Sequence, residues 1–549
     1  MLWWWCFIVM MVPAVALMFT EASPWPAKIG GVLLAASLLA MWLSSWRNLP
    51  IAILCLLPFM IFNGWQIVLL GLYGRNVIAV DMFLNLLTTN PDEVEELLGN
   101  LWIPVGIVIL LYVPLLVTTV LMLTWHSRGI RVKGTRPAFV IGIVGIILTV
   151  PYCMQGKYRY ERDFFPVNVC YNLGKAIHEH GKAAHSLQSS ANFTFSAYTE
   201  RTDTLPETYI VVIGETSRAD RWQINGYSRP TNPYLSNREN IVSFTKVLSQ
   251  SNTTHKSVPM LMTHLTSKNY GDSISMVKGL ITAFAEAGYS TTFISNQRRN
   301  HSYIDRLGEE AAHSIFIRDT HPDGLPGGDL ALIGVLDSTL QHDAHAKRLI
   351  VIHTYGSHFS YRDRYDTSQF TPDTYAAATS AGKTALNNAY DNTILMTDSL
   401  LNGFITLAEK QPGVSALLYT SDHGEDIFDD ERQLFLHASP SPSFYQVHVP
   451  MIVWTSPKHQ QEFPILTESL RRNTNAVLSS SAAFFPLALD LAGIITPFAP
   501  KGWSPARGLQ PQEDIYYLTD LNESVSLVNS GFQHQDVELL QRLIHSPQH

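Results

Sequence analysis

The chain has 549 residues, which exceeds one ordinary domain and predicts at least two folded units. Charged residues make up only 15% of it. They are scarce before about residue 155, which predicts a membrane part followed by a soluble part. The formal net charge is −8 and no long basic run is present, so composition argues against nucleic acid as a partner.

Five apolar stretches near the start of the chain are long enough to cross a bilayer. They are Leu2 to Thr20, Ile29 to Trp46, Pro50 to Tyr73, Leu101 to Trp125 and Pro137 to Met154. The first lacks the charged start and the cleavage site of a signal peptide, so we interpret it as a retained helix. Residues 1–155 are therefore predicted to form a transmembrane domain of five helices. The alternative is the helical core of a soluble protein, but one globule would hardly enclose five such runs.

Charges in the loops predict the orientation of these spans. The loop between the fourth and fifth stretches carries Arg128, Arg131, Lys133 and Arg136, and basic residues near span ends stay in the cytoplasm. The amino terminus is then inside, and everything after the fifth span is outside. Residues 81–93 read as a short amphipathic helix at the outer interface. A solvated connection fits their spacing equally well.

Four cysteines are present, and none belongs to a CxxC motif. Cys6 and Cys55 lie in apolar runs, where buried free thiols are expected. Cys153 and Cys170 could pair in an oxidising compartment, and the sequence leaves that question open.

The second part of the chain predicts an α/β domain. Residues 156–206 are polar and mixed, which is typical of a linker along the membrane surface, and a folded domain is expected over residues 207–549. Short β-rich runs then alternate with segments of helical composition. The runs are Tyr209 to Ile213, Thr291 to Ile294, Leu349 to His353, Ala416 to Thr420 and Pro450 to Trp454. This alternation indicates a largely parallel sheet.

Polar clusters follow three of these runs, where reactive groups gather in open α/β sheets. They are Gly214-Glu215-Thr216, Gly356-Ser357-His358 and Ser421-Asp422-His423-Gly424-Glu425. Asp422 and His423 are ligand types that bind a zinc-like ion, and Glu215 supplies a third while one position stays open. Taken singly, each residue could instead cap a helix or be a satisfied loop histidine.

A metal without an activated cysteine suggests a hydroxyl nucleophile. Residues 249–262 place several hydroxyls just before an apolar helical run. The amino terminus of a helix favours an incoming phosphate, so one of these oxygens could attack phosphorus. An ordinary threonine helix cap is the alternative.

Together these motifs resemble the phosphoethanolamine transferases that modify lipid A and related envelope glycans, within the alkaline phosphatase and sulfatase superfamily. The resemblance runs essentially end to end. Besides the five spans and the three clusters, it rests on Asn85-Leu86-Leu87-Thr88-Thr89-Asn90-Pro91, Ser217-Arg218-Ala219, Asn225-Gly226-Tyr227-Ser228-Arg229, Thr254-His255-Lys256-Ser257-Val258-Pro259, Tyr390-Asp391-Asn392 and Leu436-His437.

This resemblance implies roles for eight residues. The implied nucleophile is Thr254, which the family's spacing selects over Thr253. The implied zinc ligands are Glu215, Thr254, Asp422 and His423. The implied substrate-binding residues are His358, His437, Asn85 and Thr89, the last two for the donor head group.

The resemblance also implies a reaction and a place in the cell. Phosphoethanolamine would pass from phosphatidylethanolamine to a lipid A phosphate or another envelope glycan through a phosphoethanolamine-threonine intermediate. The chain would be a monomer in the bacterial inner membrane, with several spans and a sulfatase-like catalytic domain in the periplasm. One alternative is a hydrolase of the same superfamily, although no Cys/Ser-x-Pro-x-Arg sulfatase motif surrounds Thr254. The other is a membrane-tethered binding module without catalysis.

Two features depart from the family pattern. Members that act on lipid A often have several disulfides in the catalytic domain, whereas no cysteine follows Cys170. Residues 426–432 are also more acidic than expected beside a site for anionic lipid A, which leaves the acceptor open. This stretch could instead be a solvated loop.

Overall fold

The computed structural model describes residues 1–21, 23–88, 101–125, 135–156, 158–201, 205–375, 378–510 and 514–545. The chain divides into two compact units: among the described residues, the first holds residues 1–87 and 101–179, and the second holds Thr88 and residues 180–545. The basic loop with Arg128, Arg131 and Lys133 lies outside the described residues.

The first unit is helical. Its helices are α1 (Leu2–Thr20), α2 (Trp25–Ser45), α3 (Leu49–Leu54), α4 (Leu57–Tyr73), α5 (Val80–Thr88), α6 (Trp102–Trp125), α7 (Thr135–Met154) and α8 (Val167–Ser189), which passes the unit boundary. The helix predicted within residues 81–93 is present as α5 up to Thr88, and residues 89–93 lie outside the described residues. Helix α8 occupies part of the segment predicted as a linker.

Four helices among the described residues are long and apolar enough to cross a membrane: α1, α2, Trp102–Thr124 and Pro137–Met154. The predicted third span is divided, because α3 ends at Leu54 and α4 begins at Leu57. Pro58 lies in the first turn of α4, where its missing N–H costs nothing and its ring favours a new helix start. Since α4 has only 17 residues, five spans are not confirmed.

All four cysteines are free thiols. Cys6 is buried as expected, but the prediction for Cys55 was wrong because its side chain is exposed. Cys153 and Cys170 are exposed and unpaired, so the structure answers the question that the sequence left open.

The second unit is built on a seven-stranded sheet. Its strands are β1 (Glu207–Gly214), β2 (Ile241–Phe244), β3 (Ser290–Ser295), β4 (His313–Phe316), β5 (Lys347–His353), β6 (Val414–Ser421) and β7 (Met451–Thr455), in the spatial order β2-β7-β6-β1-β5-β3-β4. Strands β6, β1, β5, β3 and β4 pair in parallel, whereas β7 is antiparallel to both its neighbours. The sheet is therefore mixed, which the apolar runs did not predict.

The second unit also contains helices, several of which pack against this sheet. They are α9 (Thr254–Met262), α10 (Leu280–Glu286), α11 (Tyr303–Gly308), α12 (Ile317–Thr320), α13 (Leu332–His342), α14 (Lys383–Glu409), α15 (Phe444–Val447), α16 (Pro457–Glu462), α17 (Pro464–Arg472), α18 (Ser480–Leu491) and α19 (His534–His545). Every residue of β1 is buried, which is typical of a central parallel strand. Tyr209, Val211 and Ile213 join a core with α9, α10 and α18.

Four short two-stranded pairs complete the described β structure. They are Tyr198–Thr199 with Ile494–Ile495, Asp426–Ile427 with Phe435–Leu436, Val247–Leu248 with Leu478–Ser479, and Tyr516–Leu518 with Ser524–Ser526.

Candidate active site

The carboxyl ends of β1, β5 and β6 bring the three predicted polar clusters to one edge of the sheet. Gly214 at the end of β1 pairs with Ser421 at the end of β6, and Ile213 pairs with His353 at the end of β5. Because paired parallel strands end together, the residues that follow them meet.

Thr254 is the first residue of α9, and its side chain reaches this edge. Its hydroxyl donates to Glu215 Oε1 at 3.1 Å and lies 3.2 Å from His423 Nε2. Thr253 is buried, and its hydroxyl lies 3.1 Å from Ser251 Oγ. The fold thus brings Thr254, the threonine that the family spacing selects, to the predicted zinc ligands.

Asp422 completes the predicted ligand set. Its Oδ2 lies 3.2 Å from His423 Nε2 and accepts a hydrogen bond of 3.2 Å from Ser257 Oγ. Its Oδ1 accepts from the backbone N–H groups of Thr216 at 3.1 Å and His423 at 2.7 Å. Backbone and side-chain donors therefore fix the orientation of this carboxylate.

The two predicted substrate histidines lie beside these residues. The ring centroids of His437 and His423 are 4.3 Å apart, and those of His358 and His437 are 6.0 Å apart. Glu215, His423 and His437 offer ligand atoms that all lie within 4.8 Å of one another. His437, predicted to bind substrate, could therefore also be a metal ligand.

The two residues predicted to hold the donor head group lie elsewhere in the chain. Asn85 is on α5 in the first unit and is half-buried. Thr89 lies outside the described residues.

These side chains fit a zinc ion by their donor atoms and by their charge. His423 Nδ1 lies 2.9 Å from Gly424 O, and the tautomer that donates there leaves the Nε2 lone pair facing the carboxylates. Burial, together with the charge of Glu215, raises the pKa of the Asp422 carboxyl. Two buried carboxylates that repel each other form a setting that a divalent cation stabilises.

Sequence reasoning gave no role to three residues that hold the site together, although one of them, Glu425, belongs to a predicted cluster. Gln297 follows β3, and its Nε2 donates to Glu215 Oε2 at 3.2 Å and to Thr354 O at 3.0 Å. Glu425 Oε1 lies 2.8 Å from His437 Nδ1, and the Tyr361 hydroxyl donates to the other oxygen of Glu425. The position of Gln297 just after a predicted strand was a usable signal, whereas no local pattern marks Tyr361.

The acidic stretch of residues 426–432 is largely internal, so the solvated-loop alternative was wrong. Asp429 receives two hydrogen bonds, of 2.8 and 2.9 Å, from the buried Arg218. Asp430 pairs with Arg432, which also donates to Asp536 of α19 at 2.6 and 2.9 Å. Since these charges are compensated within the fold, the composition of the stretch is no argument against an anionic acceptor.

Gly356 allows the third cluster to approach the first, and its replacement should destabilise the protein. Its φ is +58°, and an added Cβ would lie 2.5 Å from Glu215 O. We expect Gly356→Ala to cost about 1–3 kcal/mol and to lower the melting temperature of the full chain in detergent. Gly334→Ala is the control, because Gly334 lies inside α13 with nothing within 4 Å. It should raise stability by about 0.5–1 kcal/mol. Equal melting temperatures would contradict the proposed close approach.

Comparison with known proteins places this site in a family. The sulfatase family model matches residues 207–494, just over half of the chain. Phosphoethanolamine transferase EptA of Escherichia coli strain K12 is 29% identical over 302 residues, which is 53% of this chain and 54% of that protein. The chain thus spans about half the length of that relative. Phosphatidylethanolamine transferase Mcr-1 of E. coli is 26% identical over 488 residues, 83% of this chain and 87% of that protein.

Two solved structures share the fold. The integral membrane protein EptA of Neisseria meningitidis matches with a TM-score of 0.73 at 21% identity, over 92% of this chain and 98% of that one. The C-terminal periplasmic domain of EptC from E. coli, in complex with Zn, matches with a TM-score of 0.55 at 22% identity, over 62% of this chain and 97% of that one. The chain therefore belongs to the sulfatase family, and the resemblance to phosphoethanolamine transferases of the alkaline phosphatase and sulfatase superfamily is confirmed.

Proposed function

We propose that this chain transfers phosphoethanolamine from phosphatidylethanolamine to lipid A or another envelope glycan. The observation that carries the proposal is the meeting of the Thr254 hydroxyl with Glu215 Oε1 and His423 Nε2 at the start of α9. A hydroxyl beside a carboxylate and an imidazole is typical of an activated nucleophile. The names of EptA and Mcr-1 support the transferred group and the donor.

Glu215, Thr254, Asp422 and His423 are the proposed zinc ligands, and His437 is a further candidate. The Zn complex of the EptC domain supports the choice of metal. Zinc would supply Lewis acidity, which neutralises charge on the phosphoryl oxygens and favours ionisation of the Thr254 hydroxyl.

In the first half-reaction the Thr254 hydroxyl loses its proton, for which Glu215 Oε1 is the hydrogen-bond acceptor. A bond then forms between Thr254 Oγ1 and phosphorus, and the bond from phosphorus to the glycerol oxygen breaks. Diacylglycerol leaves, and His358 or His437 donates a proton to the departing oxygen. The contact of Glu425 with His437 Nδ1 fixes the orientation of that ring. The amino terminus of α9 favours the negative charge of the phosphate.

The second half-reaction returns Thr254 to its free state. An acceptor oxygen attacks phosphorus, the bond from phosphorus to Thr254 Oγ1 breaks, and Oγ1 regains its proton. The same histidines can then take the proton that the acceptor hydroxyl loses, by microscopic reversibility.

The location follows from the same proposal. The chain is a monomer in the bacterial inner membrane, and α3 with α4 forms the third of five crossings in residues 1–155. Residues 156–206 lie along the membrane surface, and residues 207–549 form the catalytic domain in the periplasm. Asn85 and Thr89 hold the donor head group. The loop charges support this orientation.

Transfer can be separated from hydrolysis by the fate of the phosphoethanolamine group. We expect the purified full chain, in micelles with phosphatidylethanolamine, to place phosphoethanolamine on added lipid A while little free phosphoethanolamine appears in mass spectra. Lipid A stripped of its phosphates is the control and should accept much less if phosphate is the acceptor group. A hydrolase would release free phosphoethanolamine at a rate that lipid A does not redirect, and a binding module would release none.

A further inference from the structure

A small cavity lies in the first unit between the end of α1, the start of α2 and the segment that follows α7. Its volume is about 70 Å³. Since a single buried water needs roughly 10–15 Å³, the cavity has room for several waters or for part of a phospholipid head group. The residues that line it belong to the first unit, whereas Thr254 and its neighbours belong to the second.

The lining of the cavity has an apolar and a charged part. Leu17 and Val32 contribute apolar surface from α1 and α2, while Glu21, Lys28 and Arg162 contribute charge. An apolar wall beside a charged end matches the boundary between the acyl chains and the head group of a phospholipid.

Hydrogen bonds tie the charged part to one end of the helix bundle. Ser23 Oγ donates to Asp163 Oδ1 at 2.6 Å, and the backbone N–H of Asn76 donates to Glu21 Oε1 at 2.7 Å. Phe19 and Trp25 form an exposed aromatic pair there, with ring centroids 6.0 Å apart. Exposed aromatic rings at the ends of membrane helices mark the level of the head groups.

The charges at this end leave one anion and one cation for a ligand. Arg162 is engaged by Asp163, with Nε 3.1 Å from Oδ1. Glu21 uses Oε1 for Asn76 and Thr20, and no hydrogen bond from the described residues reaches Oε2. Burial raises the pKa of Glu21, and the charges of Arg162 and Arg75 offset this only in part, so a further cationic partner would stabilise its charged form.

Lys28 supplies the opposite charge. Its Nζ lies 4.8 Å from the centre of the Trp25 ring, and within the described part of the chain it forms no ion pair. The two positive and two negative side chains of the lining balance, as a zwitterionic ligand requires.

We propose that this cavity binds the head group of an ethanolamine phospholipid, with the ammonium at Glu21 and the phosphate at Lys28. The acyl chains lie along the apolar surface of α1 and α2. A primary ammonium donates three hydrogen bonds, whereas the trimethylammonium of a choline lipid donates none and a glycerol lipid carries no cation. Binding of this lipid does not depend on the activity of the chain. That the bound lipid is a store of the donor substrate rests on the proposed function.

Native mass spectrometry of the full chain tests this site. The protein is taken from nanodiscs with equal parts of ethanolamine, choline and glycerol phospholipids, and retained lipids are counted. We expect ethanolamine lipid to predominate, and Glu21→Gln to lower its retention about tenfold, as for loss of a hydrogen bond to a charged group. Glu161→Gln is the control, because Glu161 lies near Arg162 in sequence but does not line the cavity, and it should retain lipid as the parent does.

Two results would overturn the proposal: equal retention of the three lipids by the parent chain, or unchanged ethanolamine lipid retention in Glu21→Gln. If Glu21→Gln folds poorly, Lys28→Gln takes its place, because loss of the cation that faces the phosphate should also lower ethanolamine lipid retention. Thr254→Ala should retain ethanolamine lipid like the parent. If the parent chain retains ethanolamine lipid but transfers no phosphoethanolamine, the proposed function is overturned and the proposed lipid site is not.

Discussion

Thr254→Ala should lower the rate of phosphoethanolamine transfer by about 10³-fold or more, the scale seen when a covalent nucleophile is removed. The methyl side chain of alanine leaves no oxygen beside Glu215 Oε1 and His423 Nε2, and no other described hydroxyl makes both contacts. Thr254→Ser keeps an oxygen at this position and should keep part of the rate. Thr253→Ala should have a much smaller effect, since that hydroxyl faces Ser251.

The intermediate gives a second measurement of the same change. Incubation of the parent chain with phosphatidylethanolamine and no acceptor should add the mass of phosphoethanolamine to the peptide that holds Thr254, and Thr254→Ala should show no such addition. Transfer by Thr254→Ala at nearly the parent rate, with Thr253 unmodified, would show that the covalent mechanism is wrong.

His423→Ala should remove most of the bound zinc and with it most of the activity. His423 Nε2 lies 3.4 Å from Glu215 Oε1 and 3.2 Å from Asp422 Oδ2, so its loss takes the only described imidazole that contacts both carboxylates. Replacing a residue that only orients a metal ligand weakens metal binding about 10–100-fold. We expect at least that loss when the ligand His423 itself is removed. Metal content of the purified full chain, measured by mass spectrometry, provides the test.

His342→Ala is the matched control, because His342 is an exposed residue at the end of α13. It should keep the zinc content and the rate of the parent. Chelation of the parent should lower its melting temperature, since Glu215 and Asp422 are then buried together without a cation, and added zinc should restore it. Full zinc occupancy in His423→Ala would remove His423 from the ligand set.

The sequence predicts strands and site residues well where the chemistry is local. Each of the five β-rich runs coincides with a strand or overlaps one, because a buried strand must be apolar. The side chains of Glu215, Asp422 and His423 meet because each directly follows such a strand. An apolar run carries no information about strand direction, however, so the reversal of β7 could not be predicted.

Other features depend on residues far apart in the chain. Tyr361 reaches Glu425 across 64 positions, and Arg218 reaches Asp429 across 211. The charge of residues 426–432 suggested a solvated surface because composition does not reveal which arginines a fold brings to it. Pro58 is a visible cause of the break in the third apolar stretch. Because the residues on both sides of Pro58 are apolar, the stretch reads as one continuous span.

The ion pair between Arg432 and Asp536 links α19 to the segment that carries the site residues His423 and His437. Arg432 lies between His423 and His437 in sequence, and Asp536 belongs to α19, the last helix of the described residues. Asp536 also accepts from the backbone N–H of Phe444 at 3.0 Å. One residue of α19, Asp536, thus binds both flanks of the segment that carries His437. Deleting α19 would therefore disturb the reacting centre, although the deletion removes none of the residues that form that centre.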